Sequence, residues 1–539
     1  MKKKILIPLL CAVLILGLVP FTACGGSNEV TFSYGDGATA DLSVSLNEDG
    51  TVTLPEDPAR EGYGFKGWYT QPDGEGERVT SGSRVEGGTT LYARWDEWVD
   101  MTGRNVIEIG GYNGITEEYT DRTTGQTVYA EEDDFALLAE LGVDVIYMTY
   151  QPQYGAPEVY NQYLDWLDEY GVQAYIRDVE LNEVLMRYVE EEIDLTDETA
   201  VAAAAAEIRP LVERYSSRPL FKGNFLIDEP QPAVISTYAA CAQLYRLIFP
   251  EYYMYVNLLP NYGVQSDTGS DFAYRYYLTQ FVTGFDVPYL EQDNYPIHTR
   301  TAGTEIVRYV QSTTYYSGLY LPATFARDNG RTYGNYIWTT KNLVSAENRN
   351  YAPSVSDLRF EAFNAMAFGA AHINLFCAST PPAQMGAGQG VIDNSQKTEG
   401  LWENTVQVLS EVRALSEVFP RYLWRDAACF RAGENTGYAA DMAVTLTASY
   451  ENWLTDLASD TDLLIGLFEE ANTDGQAFML VNNCEITSNA STTVTFRLPG
   501  AASVTAYVGT SVTTLTPDAD GLYTLTLAPG QGGFVTVEK

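Results

Sequence analysis

Carboxylic side chains at the ends of short apolar runs are the residues of this sequence best suited to chemistry. Asp228 and Glu229 end one such run and are followed by Pro230, and Asp293 ends another. Two carboxyl groups that face one cleft can act as general acid and general base, or as acid and nucleophile. Burial and a neighbouring carboxylate both raise the pKa of a carboxylic acid, so Glu229 beside Asp228 suits the acid. We therefore predict catalytic roles for Glu229, Asp293 and Asp228.

Other apolar runs of the same region end in amides, aromatic rings and further charged groups. These ends supply Tyr112, Asn113, Tyr150, Arg177, Asp178, Asn257, Glu291 and Tyr295. Carboxylates and amides bind sugar hydroxyls, while aromatic faces cover the apolar faces of a sugar ring. The mixture predicts a carbohydrate-binding cleft, with these eight residues as its substrate-binding residues.

The composition argues against several other functions. The chain has 72 acidic and 32 basic residues and a formal net charge of −40, which repels nucleic acid. With only His298 and His372, a Ser-His-Asp hydrolase or a His-rich zinc site is difficult to build. The cysteines show no C-x-x-C spacing, and the glycines of 110–114 do not open a helix as a dinucleotide-binding turn would. We expect no nucleic-acid partner, no metal and no cofactor.

Between about residues 104 and 421, β-branched or aromatic runs alternate with amphipathic helical patterns. The predicted strands are 105–111, 143–150, 172–178, 223–228, 252–259, 286–293, 319–325 and 371–377, with a helix over 303–316 before the seventh. Eight strand–helix units in roughly 300 residues are the number and size of a TIM barrel. A barrel would gather the residues named above at the carboxyl ends of its strands, where barrel active sites form.

The flanking regions are rich in short strands. Before the barrel, residues 24–97 alternate strand patterns with Gly, Asp and Asn turns, as a small β-rich module does. After it, residues 424–539 contain strand patterns such as 442–446 and 478–482, which predict a β-sandwich. The expected chain is multidomain: a signal over 1–23, the β-module over 24–97, a (β/α)8 barrel over 98–423 and the sandwich over 424–539.

The N-terminus has the three parts of a secretion signal. Lys2–Lys4 are basic, Ile5–Leu18 are almost wholly apolar, and that apolar stretch is too short to span a bilayer comfortably. Phe21-Thr22-Ala23-Cys24 resembles the lipobox of bacterial lipoproteins, with Phe21 where leucine is usual. The resemblance implies cleavage before Cys24, acylation of its thiol, and a lipid anchor on the extracellular face of the bacterial membrane. An ordinary signal peptide cut after Ala23 is the alternative.

A second resemblance concerns the β-module. Residues 61–69 (EGYGFKGWY) and 91–95 (LYARW) are similar to the internalin-type Listeria–Bacteroides repeat. That family implies a small β-grasp-like fold and occurs in surface proteins as spacer or adhesion modules.

A third resemblance concerns residues 223–230 (GNFLIDEP), which are similar to the strand-four signature of clan A glycoside hydrolases. In that signature an amide-Glu-Pro sequence carries the general acid, which implies this role for Glu229; Asp228 stands where asparagine is usual. The Asp-Glu pair also resembles that of hexosaminidases and chitinase-like enzymes, in which the aspartate orients the acetamido group of the substrate.

The sequence departs from clan A at the seventh strand, where a retaining enzyme carries a nucleophilic glutamate. Residues 319–329 offer only Asp328. Asp293 or Glu291 is therefore one candidate for the second carboxylate, and a substrate-assisted mechanism supported by Asp228 and Tyr295 is another. The third alternative is a non-catalytic surface protein that binds glycans or serves adhesion.

The lipobox resemblance yields the first testable prediction. Replacing Cys24 with serine removes the thiol that is acylated, so the Cys24→Ser protein should be released into the medium or remain unprocessed. Fractionation of cells that express the wild type and the variant measures this. Unchanged membrane retention and processing of the variant would contradict the lipoprotein hypothesis.

Overall fold

A computed structural model describes residues 28–101, 106–112, 119–120, 127–150, 157–265, 271–302, 305–341, 352–380, 388–433, 437–446 and 448–538. The chain divides into two compact units, one of Met1–Pro58 and Gly67–Arg94 and the other of Ala59–Lys66 and Trp95–Lys539. Cys24 and Asn113 lie outside the described residues. No helix of the described part is long and apolar enough to cross a membrane.

The N-terminal module is one five-stranded mixed sheet. Its strands are β1 (Glu29–Ser33), β2 (Leu42–Ser45), β3 (Tyr63–Tyr69), β4 (Arg78–Val79) and β5 (Thr90–Glu97), in the order β2-β1-β5-β3-β4. β1 pairs in parallel with β5 and antiparallel with β2. Trp68 is buried in its small core, with the ring of Phe32 edge-on at 4.8 Å. The aromatic residues of the repeat therefore build its core.

The second region alternates strands with helices. The strands are β6 (Glu108–Tyr112), β7 (Tyr119–Thr120), β8 (Thr127–Val128), β9 (Val145–Tyr150), β10 (Gln173–Asp178), β11 (Phe221–Asp228), β12 (Met254–Asn257), β13 (Tyr289–Asp293), β14 (Ile297–Ala302), β15 (Glu305–Val310), β16 (Thr332–Trp338), β17 (Ala370–Phe376), β18 (Ile392–Asp393) and β19 (Gln396–Lys397). The helices are α1 (Glu132–Leu141), α2 (Pro157–Tyr170), α3 (Val179–Glu190), α4 (Glu198–Val212), α5 (Ile235–Ile248), α6 (Asn261–Gln265), α7 (Asp271–Gly284), α8 (Ser312–Asp328), α9 (Val355–Ala367) and α10 (Leu401–Arg413).

Eight of these strands form a closed parallel barrel. Barrel strands one to eight are β6, β9, β10, β11, β12, β13, β16 and β17, and successive members pair in parallel. Strands five and six close the ring through a parallel bridge between Leu258 and Gln292, where the Leu258 N–H donates to the Glu291 carbonyl at 3.0 Å. The predicted barrel is confirmed.

The prediction for the seventh strand was wrong. Residues 319–325 lie inside α8, and strand seven is Thr332–Trp338. Pro322 is unfavourable inside a helix and the tyrosines and threonine favour a strand, but the buried positions 315, 319, 323 and 326 follow helical spacing. The helix predicted over 303–316 was also largely wrong, because 305–310 forms a hairpin strand that pairs with 297–302.

The C-terminal region is a β-sandwich, as predicted. Its elements are β20 (Tyr422–Phe430), α11 (Gly437–Thr445), β21 (Thr455–Ala458), β22 (Leu463–Glu470), β23 (Gln476–Asn482), β24 (Thr492–Arg497), β25 (Ser503–Val508), β26 (Ser511–Thr514), β27 (Tyr523–Leu527) and β28 (Gly532–Glu538). A six-stranded sheet, β20-β22-β23-β28-β25-β26, faces the three-stranded sheet β21-β24-β27 across an apolar core. The strand predicted over 442–446 falls mainly in α11, whose buried Ala439 and Met442 have helical spacing.

Helix α9 joins the barrel to the sandwich. It packs against barrel strands seven and eight and, on another face, against β22, β23 and β28. At this contact Asn364 and Asn483 exchange side-chain hydrogen bonds of 3.1 and 3.0 Å. Gly466 of β22 lies so close to the helix that an added Cβ would stand 2.2 Å from the Ala367 carbonyl oxygen.

This contact predicts that Gly466→Ala destabilises the protein. The added methyl group meets backbone and cannot be relieved by a side-chain rotation, so we expect a loss of about 1–3 kcal/mol in the free energy of unfolding. Denaturant unfolding of the wild type, Gly466→Ala and Gly475→Ala measures it. Gly475 is the control, because its added Cβ meets the movable side chain of Glu470. Equal midpoints for the two variants would contradict the steric argument.

Candidate active site

Five polar side chains meet where barrel strands one, four, five and six end. Tyr112 ends strand one, Asp228 ends strand four and is followed by Glu229, Asn257 ends strand five and Asp293 ends strand six. Successive side chains of a strand point to opposite faces, so Asp293 faces the interior as Glu291 does two residues earlier. Parallel strands of a barrel carry their carboxyl ends on one face, and these side chains therefore converge.

Asp228 is held by two hydrogen bonds. The Tyr112 hydroxyl donates to its Oδ2 at 2.6 Å, and Asn257 Nδ2 donates to its Oδ1 at 3.0 Å. Burial raises the pKa of Asp228, and the two hydrogen bonds together with the charge of Arg177 oppose that rise. Asn257 Nδ2 also lies 3.4 Å from Asp293 Oδ1, so one amide group joins the two aspartates.

Glu229 and Asp293 form a hydrogen-bonded carboxyl pair. Burial and the charge of Asp228 raise the pKa of Glu229. Burial, followed by the charges of Glu229 and Asp228, raises the pKa of Asp293 well above its ordinary value. Two buried carboxyl groups in contact cannot both ionise readily, so the contact favours a form of the pair in which one of the two groups keeps its proton.

The backbone at Glu229 adopts a conformation that non-glycine residues seldom take, with φ of +47°. The Glu229 N–H donates to the Asn257 carbonyl at 2.9 Å, and the Pro230 carbonyl accepts from the Tyr277 hydroxyl at 3.0 Å. These bonds fix the turn that follows strand four. The glutamate is thereby directed to Asp293, while Asp228 before it contacts Tyr112 and Asn257.

Glu291 lies deeper in the barrel and is 1% exposed. Its carboxylate contacts His372 Nδ1 at 2.5 Å and accepts from Asn374 Nδ2 at 2.7 Å, Tyr255 OH at 2.7 Å and Tyr147 OH at 3.3 Å. Burial opposes its ionisation, but these donors, His372 foremost, hold the pKa of Glu291 below its usual value. The structure therefore places Glu291 among interior partners and outside the carboxyl pair.

The other predicted site residues separate into two groups. Arg177 lies near the carboxyl end of strand three, next to the Phe225 ring. Its charge lowers the pKa of Asp228. Tyr150 and Asp178 face the surrounding helices instead. Asp178 caps α3, pairs with Arg214 at 2.8 Å and is buried, and the Tyr150 ring packs on Tyr215 at 5.3 Å. The structure does not bring these two residues to the carboxyl pair.

The prediction of site residues included Tyr295 but missed Trp338 and Phe376, the two rings that form an aromatic cluster with it. The Tyr295 ring lies 5.2 Å from Trp338 and 5.7 Å from Phe376, whose own rings are 5.3 Å apart. Trp338 was missed because strand seven was misplaced. The aromatic and β-branched run 332–338 after the Asn329-Gly330 turn was the signal that would have found it.

Strand seven supplies no carboxylate, since residues 332–338 (TYGNYIW) contain none. Asp328, the sole acidic residue in the earlier prediction, ends helix α8 and pairs with Arg327 at 2.8 Å. Asp293 is therefore the carboxyl group that directly contacts Glu229.

One cluster of the described residues has the composition of a metal site. Side-chain ligand atoms of Glu108, Glu291 and His372 lie within 4.8 Å of one another at the lower end of the barrel. Lys222 Nζ already pairs with Glu108, and His372 pairs with Glu291. Lys222 and His372 thus already contact the carboxylate oxygens that would bind a metal ion.

Comparisons with known proteins agree with this architecture. A family model described as the Listeria-Bacteroides repeat domain matches residues 29–94, so the predicted repeat is confirmed. No curated protein matches the chain in sequence.

Among solved structures, the GH42 β-galactosidase Gan42B has a TM-score of 0.51 at 9% identity, over 82% of this chain and 100% of its own. A β-galactosidase from Bacillus circulans sp. alkalophilus has a TM-score of 0.46 at 9% identity, over 80% and 99%. The family 51 α-L-arabinofuranosidase AbfB from Bifidobacterium longum has 0.39 at 12% identity, over 81% and 96%. The chain thus carries a Listeria–Bacteroides repeat and, beyond it, shares the fold of a barrel β-galactosidase.

Proposed function

We propose that the protein is a cell-surface glycoside hydrolase, held at the membrane through an acylated Cys24, with Glu229 as its general acid. The Glu229–Asp293 pair at the carboxyl face of the barrel is the observation that carries the proposal. General acids of this kind need a raised pKa. Burial and the charge of Asp228 raise the pKa of Glu229, and its hydrogen bond with Asp293 opposes part of that rise.

Each neighbouring residue has a role in this mechanism. Glu229 donates its proton to the oxygen of the leaving sugar as the glycosidic bond breaks. Asp293, once separated from Glu229 by the substrate, either takes a proton from the water that attacks the anomeric carbon or attacks that carbon itself, and water then hydrolyses the resulting ester. Asp228 and Asn257 bind sugar hydroxyls and fix the two acids, while Tyr295 and Trp338 offer aromatic surface to a sugar ring.

One observation favours a second candidate, a non-catalytic glycan-binding protein. Carboxyl groups of retaining glycosidases are roughly 5–5.5 Å apart and those of inverting enzymes roughly 6.5–9.5 Å. Glu229 and Asp293 are hydrogen-bonded to each other, whereas both classes of enzyme keep their carboxyl groups apart to admit the reacting sugar carbon or a water molecule. A receptor has no need to separate the pair, whereas an enzyme must do so when its substrate enters.

Substitution of the acid distinguishes the two candidates. Glu229→Gln keeps the shape of the side chain but removes the titrating proton, so activity on an unactivated glycoside should fall about 10²–10⁴-fold. Aryl glycosides with good leaving groups should lose less, because their departure needs little protonation. Asp328→Asn is the control, since Asp328 ends a helix away from the pair. The measurement is kcat/KM for the soluble chain 98–539 on a panel of glycans and aryl glycosides.

An inactive wild type over the whole panel would support the binding protein. If Glu229→Gln turns over an unactivated glycoside at a near-normal rate, Glu229 is not the general acid. Asp293→Asn should also be severely impaired, but without a dependence on the leaving group, because it does not protonate the departing oxygen.

The neighbouring aspartate sets the pH dependence. The charge of Asp228 raises the pKa of Glu229, so Asp228→Asn should lower that pKa. Catalysis that needs protonated Glu229 is lost as pH rises through its pKa, and the alkaline limb of kcat/KM should therefore move to lower pH. If the alkaline limb does not move, Glu229 is not the group whose titration lowers kcat/KM at high pH. Loss of turnover confined to N-acetylhexosaminides would instead support the substrate-assisted mechanism.

A further inference from the structure

Most exposed aromatic side chains lie in three of the segments that connect one barrel strand to the next. Among the described residues, the exposed aromatics are Trp98, Tyr129, Tyr262, Phe272, Tyr276 and Tyr309. All but Trp98 lie in segments that follow the carboxyl ends of barrel strands one, five or six. Because large apolar groups at a surface mark binding sites when they cluster, this distribution points to a ligand that extends over the carboxyl face.

Three of these residues belong to the short segment after strand five. Tyr262 on α6 is 41% exposed, and Phe272 and Tyr276 on α7 are 78% and 58% exposed. Phe272 and Tyr276 are four residues apart and thus adjacent on one side of the helix, while Tyr274, Tyr277 and Leu278 are buried on the other. Helix α7 starts at the carboxyl end of the barrel, so its first turn carries Phe272 at the rim.

Helix α7 contacts the residues that follow strands four and five, next to the carboxyl pair. The Tyr277 hydroxyl accepts from the Leu259 N–H at 3.3 Å and donates to the Pro230 carbonyl at 3.0 Å. Helices α6 and α7 pack on each other and link Tyr262 to the exposed face of α7. We call Tyr262, Phe272 and Tyr276 the rim aromatics.

We propose that the rim aromatics bind the outer sugar units of a long neutral glycan whose cleavage site lies at Glu229. Sugar rings stack on aromatic faces through their apolar C–H surfaces, and successive rings along a helix face suit a chain more than a disaccharide. The carboxyl groups at the centre and the net charge of −40 disfavour a polyuronate. This inference rests on the proposed function and specifies its substrate class.

Binding of polysaccharides by the mature chain tests it, with affinity electrophoresis in galactan, mannan, arabinan, xylan and β-glucan, and in pectate as the charged comparison. The wild type should be retarded by at least one neutral polymer. The double variant Phe272→Ala/Tyr276→Ala should bind that polymer about tenfold more weakly, since two stacking surfaces are lost. Trp98→Ala is the matched control, because it removes a ring that is 61% exposed but precedes the first barrel strand.

Several results would overturn the proposal. These are equal binding by the double variant and the wild type, equal weakening by Trp98→Ala, preference for pectate, absence of retardation by every neutral polymer, or equal affinity for a polymer and its disaccharide. The Glu229→Gln variant should bind the polymer as the wild type does but hydrolyse it far more slowly, so its binding reports on the rim aromatics independently of catalysis. Retained polymer binding with no hydrolysis by the wild type would sustain the rim site and refute the enzyme.

Discussion

The buried carboxylate of Glu291 is the constraint around which the barrel is organised. An ion in a barrel interior is stable only where other groups replace the water it has lost. Side chains from strands two, five and eight do this, namely Tyr147, Tyr255, Asn374 and His372. Loss of one partner would leave a buried charge without full compensation, which typically costs about 3–5 kcal/mol.

The same ion restricts the backbone around it. Gly334 of strand seven has no room for a side chain, since an added Cβ would lie 2.7 Å from Glu291 Cγ and 2.8 Å from His372 Cβ. Asp293 follows Glu291 on the same interior side of strand six. The hydrogen bonds that stabilise the Glu291 carboxylate therefore also fix strand six, which carries Asp293. They give the Glu229–Asp293 pair a rigid support.

The sequence was sufficient for the architecture and for the set of carboxyl and amide side chains that meet at the carboxyl end of the barrel. Hydrophobic runs with helical or strand spacing located seven of the eight barrel strands, and the convergence of parallel strand ends predicted that Asp228, Glu229, Asn257 and Asp293 would meet. The inward or outward direction of a side chain was not predictable. Strand two is buried at every position, because helices cover its outer face, so no polar alternation reveals that Tyr150 points outward.

Contacts between strands that are distant in the sequence could not be predicted from the sequence either. The direct bond between Glu229 and Asp293 depends on the relative offset of strands four and six, which no local pattern encodes. The error at strand seven had a local cause: α8 contains Pro322 and many tyrosines, and only its buried neighbours make it a helix. Packing against its neighbours, and not the intrinsic preference of its residues, determines that α8 is a helix.

Helix α9 has a consequence for the order in which the protein is built. Almost every residue from Asp357 to Ala367 is buried, as in a helix that lies between two layers and not at a surface. One of those layers includes β28, which is Gly532–Glu538. During synthesis the barrel sequence is complete more than a hundred residues earlier than this strand. One apolar face of α9 therefore stays uncovered in the nascent chain until β28 has been synthesised, and chaperones can bind to it during that time.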